Sequence, residues 1–341
     1  MDRENIESIV PLLPMQNSFL WHSLNTKTHE QKNDSVIQLN CTFSGLIDLA
    51  RLQEAWDEIV KRHQALRSSV HWTNVASPIQ IIHKHVDTRF LVINSEHYPT
   101  LGKYQKQDQL LPIDLNNAPA FRLAVYPDGN TSCDIVWSMS HVLLDGWSCS
   151  IVINEWVQLY SRLLNNDTSD SGEIFALSDY NRWRNRQDRD ATLKYWDGYL
   201  PHEVCSSLAR PVSSSFSSKQ TSTTISLKPS TQSVTQVSSI VTNRSQLSTS
   251  EFTHLQNCLT SAGVSLGALL QAVFATLLHQ KDDVNPVLFA TTVSGRHVEI
   301  PQIERRVGMY INTVPVSIRF DKKQLVKTWL QEIQGLSLIH I

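Results

Sequence analysis

Ser140-His141-Val142-Leu143-Leu144-Asp145-Gly146-Trp147-Ser148 is the stretch whose reading decides this chain. It sets an imidazole and a carboxylate on a short turn between two strongly patterned segments. Before it, Ile135, Trp137 and Met139 alternate with Val136, Ser138 and Ser140, the period-two pattern of a buried strand. After it, Trp147, Ile151, Val152, Trp156, Leu159, Tyr160 and Leu163 recur at helical spacing, which predicts a helix ending near Leu164. A polar turn held between a rigid strand and a rigid helix is a common place for chemistry. The residues alone leave plainer readings open. Asp145 is also a good N-cap for the following helix. Gly146 is also explained by conformational freedom, and His141 by a core position with both nitrogens satisfied.

Working outward, patterned segments continue on both sides. Residues 11–24 open with proline punctuation and become a short amphipathic helix. Val36–Phe43 and Ile79–Val86 read as strands, as does Ser68–Trp72. Leu46–Arg67 carries Leu49, Leu52, Trp56, Ile59, Val60 and Leu66 on one face and reads as a helix. Residues 113–125 read as a loop leading into a strand. Asn165–Gly172 is a polar breaker and marks a lobe boundary. Beyond it, Leu177–Leu200 reads as one helix. Residues 212–250 are Ser/Thr-rich and poor in large apolar side chains. Ser250–Ala262 and Ser265–Gln280 read as helices, the second apolar enough to be deeply buried. Val287–Val293 and Ile311–Phe320 read as strands, and Leu325–Ile333 starts a helix. Strands and helices alternate in both halves, so the class is α/β or α+β with two lobes, residues 1–172 and 173–341.

Composition narrows the function. The chain has 341 residues, 41% hydrophobic and 18% charged, which can fill one large or two medium cores. A net charge of −2 without a basic stripe argues against a nucleic-acid partner. No run of about 20 apolar residues is present, so no membrane span is expected. The polar start and the scattered cysteines (Cys41, Cys133, Cys149, Cys205, Cys258) fit free thiols in a reducing cytoplasm. No His/Cys/Asp cluster has metal spacing, and His83-x-His85 in a strand-like run is read as incidental.

Several segments together resemble one family, the condensation domains of non-ribosomal peptide synthetases. Pro14-Met15-Gln16 with Phe19-Leu20-Trp21-His22-Ser23-Leu24 is similar to the family's first motif. Arg62-His63-Gln64-Ala65-Leu66-Arg67 is similar to its second, and Ser140–Ser148 to its central His-His-x-x-x-Asp-Gly-Trp-Ser. Thr292-Val293-Ser294-Gly295-Arg296 and Val307-Gly308-Met309-Tyr310-Ile311-Asn312-Thr313-Val314-Pro315 are similar to later stretches. Five matches in order are far more specific than any one alone. Ser140 stands where many members have His. The chain also stops soon after the last stretch, where members continue with further strands, so the second lobe is expected to be incomplete.

The resemblance implies two lobes like those of chloramphenicol acetyltransferase, with a tunnel between them. It implies carrier domains upstream and downstream that deliver thioesters on phosphopantetheine arms, and an adjacent adenylation domain. The domain itself is expected to hold no cofactor. The implied reaction is attack of an aminoacyl amine on an acyl or peptidyl thioester, giving an amide. The alternatives are an acyl-coenzyme A-dependent acyltransferase with an HxxxD histidine and a catalytically silent fragment or docking module. The family's catalytic weight falls on His141, as general base or as the acceptor that positions the amine. An imidazole suits either task near neutral pH. Asp145 is implied to pair with an arginine, Arg296 first and Arg67 second. The Gly146 N–H is a candidate oxyanion donor. Ser140 and Asn312 are expected to support the site, and Asn312 reads equally well as a satisfied strand-end amide. Trp137 and Trp147 are expected to pack in the core, with Trp147 bracing the motif.

Overall fold

The structure is a computed structural model that describes residues 3–25, 36–93, 98, 100–129, 131–167, 172–200 and 244–340. The chain divides into two compact units. One comprises Met1–Arg189 and Ala290–Val314; the other comprises Asp190–Phe289 and Pro315–His340.

The first unit is built on two sheets. The strands β1 (Ile6–Pro11), β3 (Ser68–His71) and β4 (Ile79–His83) form an antiparallel sheet in the order β1-β4-β3. The second sheet runs β2-β7-β6-β5, from β2 (Val36–Ser44), β5 (Phe90–Val92), β6 (Phe121–Asp128) and β7 (Ser132–Ser140). Its strands are antiparallel except for the parallel β5–β6 pair. The alternation in β7 sorts its two faces. Met139 lies opposite Ile37 and Phe121, Trp137 opposite Leu39 and Leu123, and Ile135 opposite Cys41 and Val125. That face joins the main core with Trp56 and Trp156. On the other face, Ser138 lies opposite Gln38 and Arg122. There the buried Asp108 carboxylate accepts from Ser138, from Gln38 at 2.9 Å and from Arg122 at 2.7 Å. Asp108 belongs to α3 (Leu101–Leu110), so this network fastens that helix to the sheet.

Helix α2 (Leu49–Arg62) buries Leu52, Ala55, Trp56, Ile59 and Val60 along one face, and the Asp48 carboxylate caps it by accepting the Arg51 N–H. It ends five residues earlier than its apolar pattern suggests, and Gln64–Arg67 forms a 3₁₀ turn instead. The tighter turn aims polar side chains at distant partners. Gln64 donates to Glu7 at 2.6 Å and accepts the Leu177 N–H at 2.8 Å, while Arg62 and His63 both reach Glu155. Helix α4 (Gly146–Leu164) follows β7 and buries Ser148, Cys149, Val152, Trp156, Tyr160 and Leu163. The helix expected over 177–200 is two helices, α5 (Ser178–Asn185) and α6 (Arg189–Tyr199). The break falls in the polar run 184–189, which offers no apolar face to carry a helix across it.

The second unit contains all of α6 after Arg189, together with α7 (Thr249–Ala262), α8 (Leu266–Asp282) and α9 (Val326–His340). Strands β8 (Val287–Val293) and β9 (Asn312–Ile318) pair with each other, and the division into units falls within both strands. A capping box of Ser248 and Glu251 starts α7, and Gly263 in the left-handed region ends it. The deep burial expected of α8 is corrected. Ala268, Ala272 and Ala275 are buried, but Leu270 and Leu277 are 60% and 58% exposed, with Val273 and Phe274 also exposed. Small residues at helical spacing make the close contact here, and the larger ones lie outside it. Of the Ser/Thr-rich segment, residues 212–243 lie outside the described residues, as does Cys205. Cys41, Cys133, Cys149 and Cys258 are free thiols, the middle two buried. Among the described residues no single helix is long and apolar enough to cross a membrane.

Candidate active site

The turn after β7 is built by short polar bonds. The Ser140 hydroxyl accepts the Val142 N–H at 3.2 Å, and its carbonyl accepts the Leu143 N–H. Ser140 is 3% exposed and supports the turn from beneath. Val142, Leu143 and Leu144 drop into the core, which leaves His141 half-buried at the rim.

The His141 ring is fixed on two sides. Its Nδ1 lies 2.9 Å from the Leu144 carbonyl oxygen. A carbonyl only accepts, so Nδ1 carries a proton, and in the neutral ring Nε2 holds the lone pair. The Phe19 ring stacks on the imidazole, with centroids 4.3 Å apart and planes inclined by 19°. Phe19 lies on α1 (Pro14–Asn25). Gln16 of the same helix donates to the Val142 carbonyl and to Gln80, both at 2.9 Å.

Asp145 does not act on His141. It caps α4 through the Ser148 N–H at 2.8 Å and also meets Arg296, whose Nη2 lies 3.0 Å and 3.2 Å from the two carboxylate oxygens. The Tyr310 N–H donates to Oδ2 at 2.9 Å. The Asp145 side chain is fully buried and that of Arg296 3% exposed. Arg296 also donates from Nη1 to the Ile303 and Arg306 carbonyls and from Nη2 to the Ser148 hydroxyl. Ser148 in turn donates to the Gly308 carbonyl at 2.7 Å and accepts the Gly308 N–H at 2.9 Å. So the start of α4 and the segment 294–310 are joined around one buried ion pair, all inside the first unit. The Ser148 hydroxyl is saturated and cannot serve as a nucleophile. Burial, aided by Asp145, pushes the Cys149 thiol up to about 12, so it stays protonated. Burial likewise pushes the Tyr310 phenol above its ordinary range, against the opposing pull of Arg296 and Arg306.

The remaining sequence-predicted residues separate from one another. Arg67 is bonded to Glu7 at 2.6 Å and to the His83 carbonyl, so it braces β1 against β4 and leaves Asp145 to Arg296. Asn312 opens β9, is exposed, and accepts the Thr313 N–H at 2.9 Å, as a strand-end amide does. Trp137 is 2% exposed. The core position expected for Trp147 is corrected: it is 51% exposed. It sits in the first turn of α4, donates its indole N–H to the Glu304 carbonyl at 2.9 Å, and lies with its ring centroid 5.7 Å from the Arg296 guanidinium carbon. It thus covers the ion pair from outside. Gly146 takes an ordinary helical backbone, and a Cβ built there meets no atom within 4 Å. As the first helical residue, Gly146 is exposed and its N–H has no partner within the helix. Phe19, the Leu144 carbonyl, Gly308 and the Tyr310 amide were not singled out from the sequence. All four lie in segments quoted there, but no local periodicity marks their roles.

A second polar cluster lies elsewhere. A cavity of about 440 Å³ is lined by Asn5, His71, His83, His85, Asn116 and Asn117 among others. The Ser69 hydroxyl lies between His71 Nε2 at 3.0 Å and His83 Nε2 at 2.8 Å. Ser69 is fully buried, so no substrate reaches its oxygen. Among the described residues no group of three or more His, Cys, Asp or Glu is arranged to hold a metal. The cluster ties β3 to β4, and its chemistry appears in stability. Burial lowers both imidazoles below the ordinary 6.5, and His71 and Arg67 depress His83 further. The unfolded chain therefore binds more protons than the folded one as pH falls from about 6.5 through the depressed values. Stability is full above that window and declines within it. The urea midpoint will fall between pH of about 7.5 and about 5.5, and His83→Gln will flatten the slope. Equal slopes in the two proteins would refute this assignment.

One family model covers nearly the whole chain. The family model described as Condensation domain matches residues 6–338. Bacitracin synthase 3 of Bacillus licheniformis is 29% identical over 339 residues, covering 98% of this chain and 5% of that protein. Gramicidin S synthase 2 of Brevibacillus brevis is 26% identical over 342 residues, covering 97% of this chain and 7% of that protein. The chain thus spans a small part of the length of these synthases. Among solved structures, the first condensation domain of the calcium-dependent antibiotic synthetase, in complex with a substrate analogue, aligns with a TM-score of 0.71. Its identity is 16%, and the match covers 98% of this chain and 75% of that one. The EpoB cyclization-docking bidomain from Sorangium cellulosum aligns at 0.70 with 16% identity, covering 97% and 64%. At these identities the structures speak for the fold, and the mixed helix and strand architecture expected from the sequence is the one they share.

Proposed function

Because the chain belongs to the condensation-domain family, we propose that it forms an amide between two thioester-bound substrates. The donor is an acyl or peptidyl thioester on an upstream carrier domain. The acceptor is an aminoacyl thioester on a downstream carrier, both on phosphopantetheine arms, with an adenylation domain loading the acceptor. The observation that carries this reading is the fixed His141 ring, with Nδ1–H on the Leu144 carbonyl and Nε2 left as acceptor.

The chemistry asks little of the protein beyond this. An α-amino group titrates at about 7.7–8.0, so an appreciable fraction is neutral near pH 7. The amine nitrogen attacks the donor carbonyl, and Nε2 of His141 accepts the N–H proton as the new C–N bond forms. The tetrahedral oxyanion takes a hydrogen bond from the Gly146 N–H in the first turn of α4. Collapse breaks the C–S bond, and the proton on His141 passes to the departing thiolate. Orientation of two tethered substrates supplies up to about 7–11 kcal/mol of the barrier reduction. Asp145 takes no proton; its oxygens are occupied by Arg296, Ser148 and Tyr310.

The test supplies the chain with acyl-loaded donor carrier and aminoacyl-loaded acceptor carrier, and reads the intact mass of each. The expected result is a gain of the acyl group on the acceptor carrier and return of the donor carrier to its unloaded form. Product formed only when acyl-coenzyme A replaces the donor carrier would overturn the proposal in favour of a coenzyme A-dependent acyltransferase. No product from a folded chain would overturn it in favour of a silent docking module.

A further inference from the structure

We propose that Phe19 is a positioning residue for His141, holding the imidazole plane in which Nε2 accepts the amine proton. The inference rests on the reading of His141 given above.

An imidazole held by one hydrogen bond is not yet oriented. The Nδ1–H bond to Leu144 fixes one edge of the ring, but the terminal torsion of a histidine is broad and twofold. The ring can swing about that bond or turn over and lose it. A second contact on the face removes this freedom, and Phe19 supplies it at 4.3 Å with a 19° inclination. The contact holds because α1 is itself pinned. Gln16 is 4% exposed and accepts the Leu13 N–H at 2.9 Å while donating to Gln80 and to the Val142 carbonyl. Leu20, beside Phe19, is buried in the main core. Gln16 and Phe19 are three apart and lie on one face of the helix. One holds the backbone of the turn, and the other holds the ring that the turn displays.

The stack has a second effect during reaction. When Nε2 takes the proton the ring becomes a cation over an aromatic face, well inside the about 6 Å range of that attraction. An aliphatic residue of similar bulk fills the space but offers neither a flat face nor a quadrupole. Phe19→Leu therefore removes orientation while keeping most of the packing, whereas Phe19→Tyr keeps the face.

The experiment uses the full chain in single-turnover amide formation over a range of acceptor concentrations up to saturation. Native, Phe19→Leu, Phe19→Tyr, His141→Ala and the Phe19→Leu/His141→Ala double variant are compared. Ring ¹⁵N shifts report the His141 tautomer in parallel. Phe19→Leu should lower the rate constant about tenfold with little change in acceptor KM, since a misplacement of about 1 Å can cost about 100-fold. It should give no further loss in the His141→Ala background. The Nδ1–H tautomer should dominate in the native chain and become mixed in Phe19→Leu, with Phe19→Tyr restoring both readouts. Should Phe19→Leu fail to fold, Phe19→Met takes its place. A native rate in the aliphatic variant, or the same factor lost with and without His141, would overturn the proposal, as would an unchanged tautomer. If His141→Ala itself reacts at the native rate, the function proposed for His141 fails, and the tautomer readout still decides whether Phe19 orients the ring.

Discussion

Asp145→Ala will destabilise the chain by about 3–5 kcal/mol, the cost of breaking a buried ion pair from one side. The reason lies in what stays behind. Arg296 is held among the Ile303 and Arg306 carbonyls and the Ser148 hydroxyl, and cannot follow solvent outward. Its Nε already lacks a partner among the described residues, so removal of the carboxylate leaves a buried cation with no counter-charge. The Ser148 and Tyr310 amides lose their acceptor at the same time. The loss will appear as a lower urea midpoint at unchanged slope, followed by tryptophan fluorescence, to which Trp147 above Arg296 contributes directly. Asp145→Asn keeps the shape and one acceptor oxygen but not the charge, and should fall between the two. A shift in Asp145→Ala below about 1 kcal/mol would mean the pair is no keystone.

Gly295→Ala is the second large effect, and it acts through the backbone. Gly295 has φ +64°. A Cβ there stands 1.8 Å from the Tyr310 carbonyl oxygen and 2.8 Å from its carbon. No side-chain rotation relieves that contact, because the obstructing atoms are main chain. The left-handed conformation costs a non-glycine residue about 1–2 kcal/mol, and overpacking adds about 1–3 kcal/mol. The chain must also shift at Tyr310, whose amide serves Asp145. A destabilisation of about 2–5 kcal/mol is expected, with amide formation impaired in the folded fraction. Gly146→Ala is the contrast, because its Cβ meets nothing within 4 Å and its φ is ordinary. It should fold with native stability. Similar urea midpoints for the two variants would contradict this account.

Much of the first unit was legible because its signals are local. The alternation of β7 and the helical spacing of α4 each repeat several times within one element, and the structure follows both. Asp145 as a helix cap was legible from its place before Gly146 and Trp147. Its partner was not readable from spacing, since Arg296 lies 151 residues away. That pairing came from the resemblance, which ties the Ser-Gly-Arg segment to the central motif. The errors have a common physical origin. Residue type alone argues for a core Trp147, yet the first turn of α4 points it outward, with Glu304 and Arg296 as its partners. Mean apolarity argues for deep burial of α8, yet alanines form its buried contact while Leu270 and Leu277 stay exposed. In both cases composition spoke for burial, and the direction of the side chain decided otherwise. The role of Phe19 is not legible in the sequence, because a ring on one helix stacking on a distant turn leaves no mark in the pattern of either.

The most direct measurement is the single-turnover rate of amide formation by the native chain and by His141→Ala, with both carriers loaded. His141 is half-buried and makes one backbone hydrogen bond, so the variant should stay folded. A well-placed general base contributes about 10²–10⁴-fold, and a loss in that range is the predicted result. Equal rates for the two folded proteins would contradict the central claim that the His141 imidazole, held by Leu144 and Phe19, is the group that activates the amine.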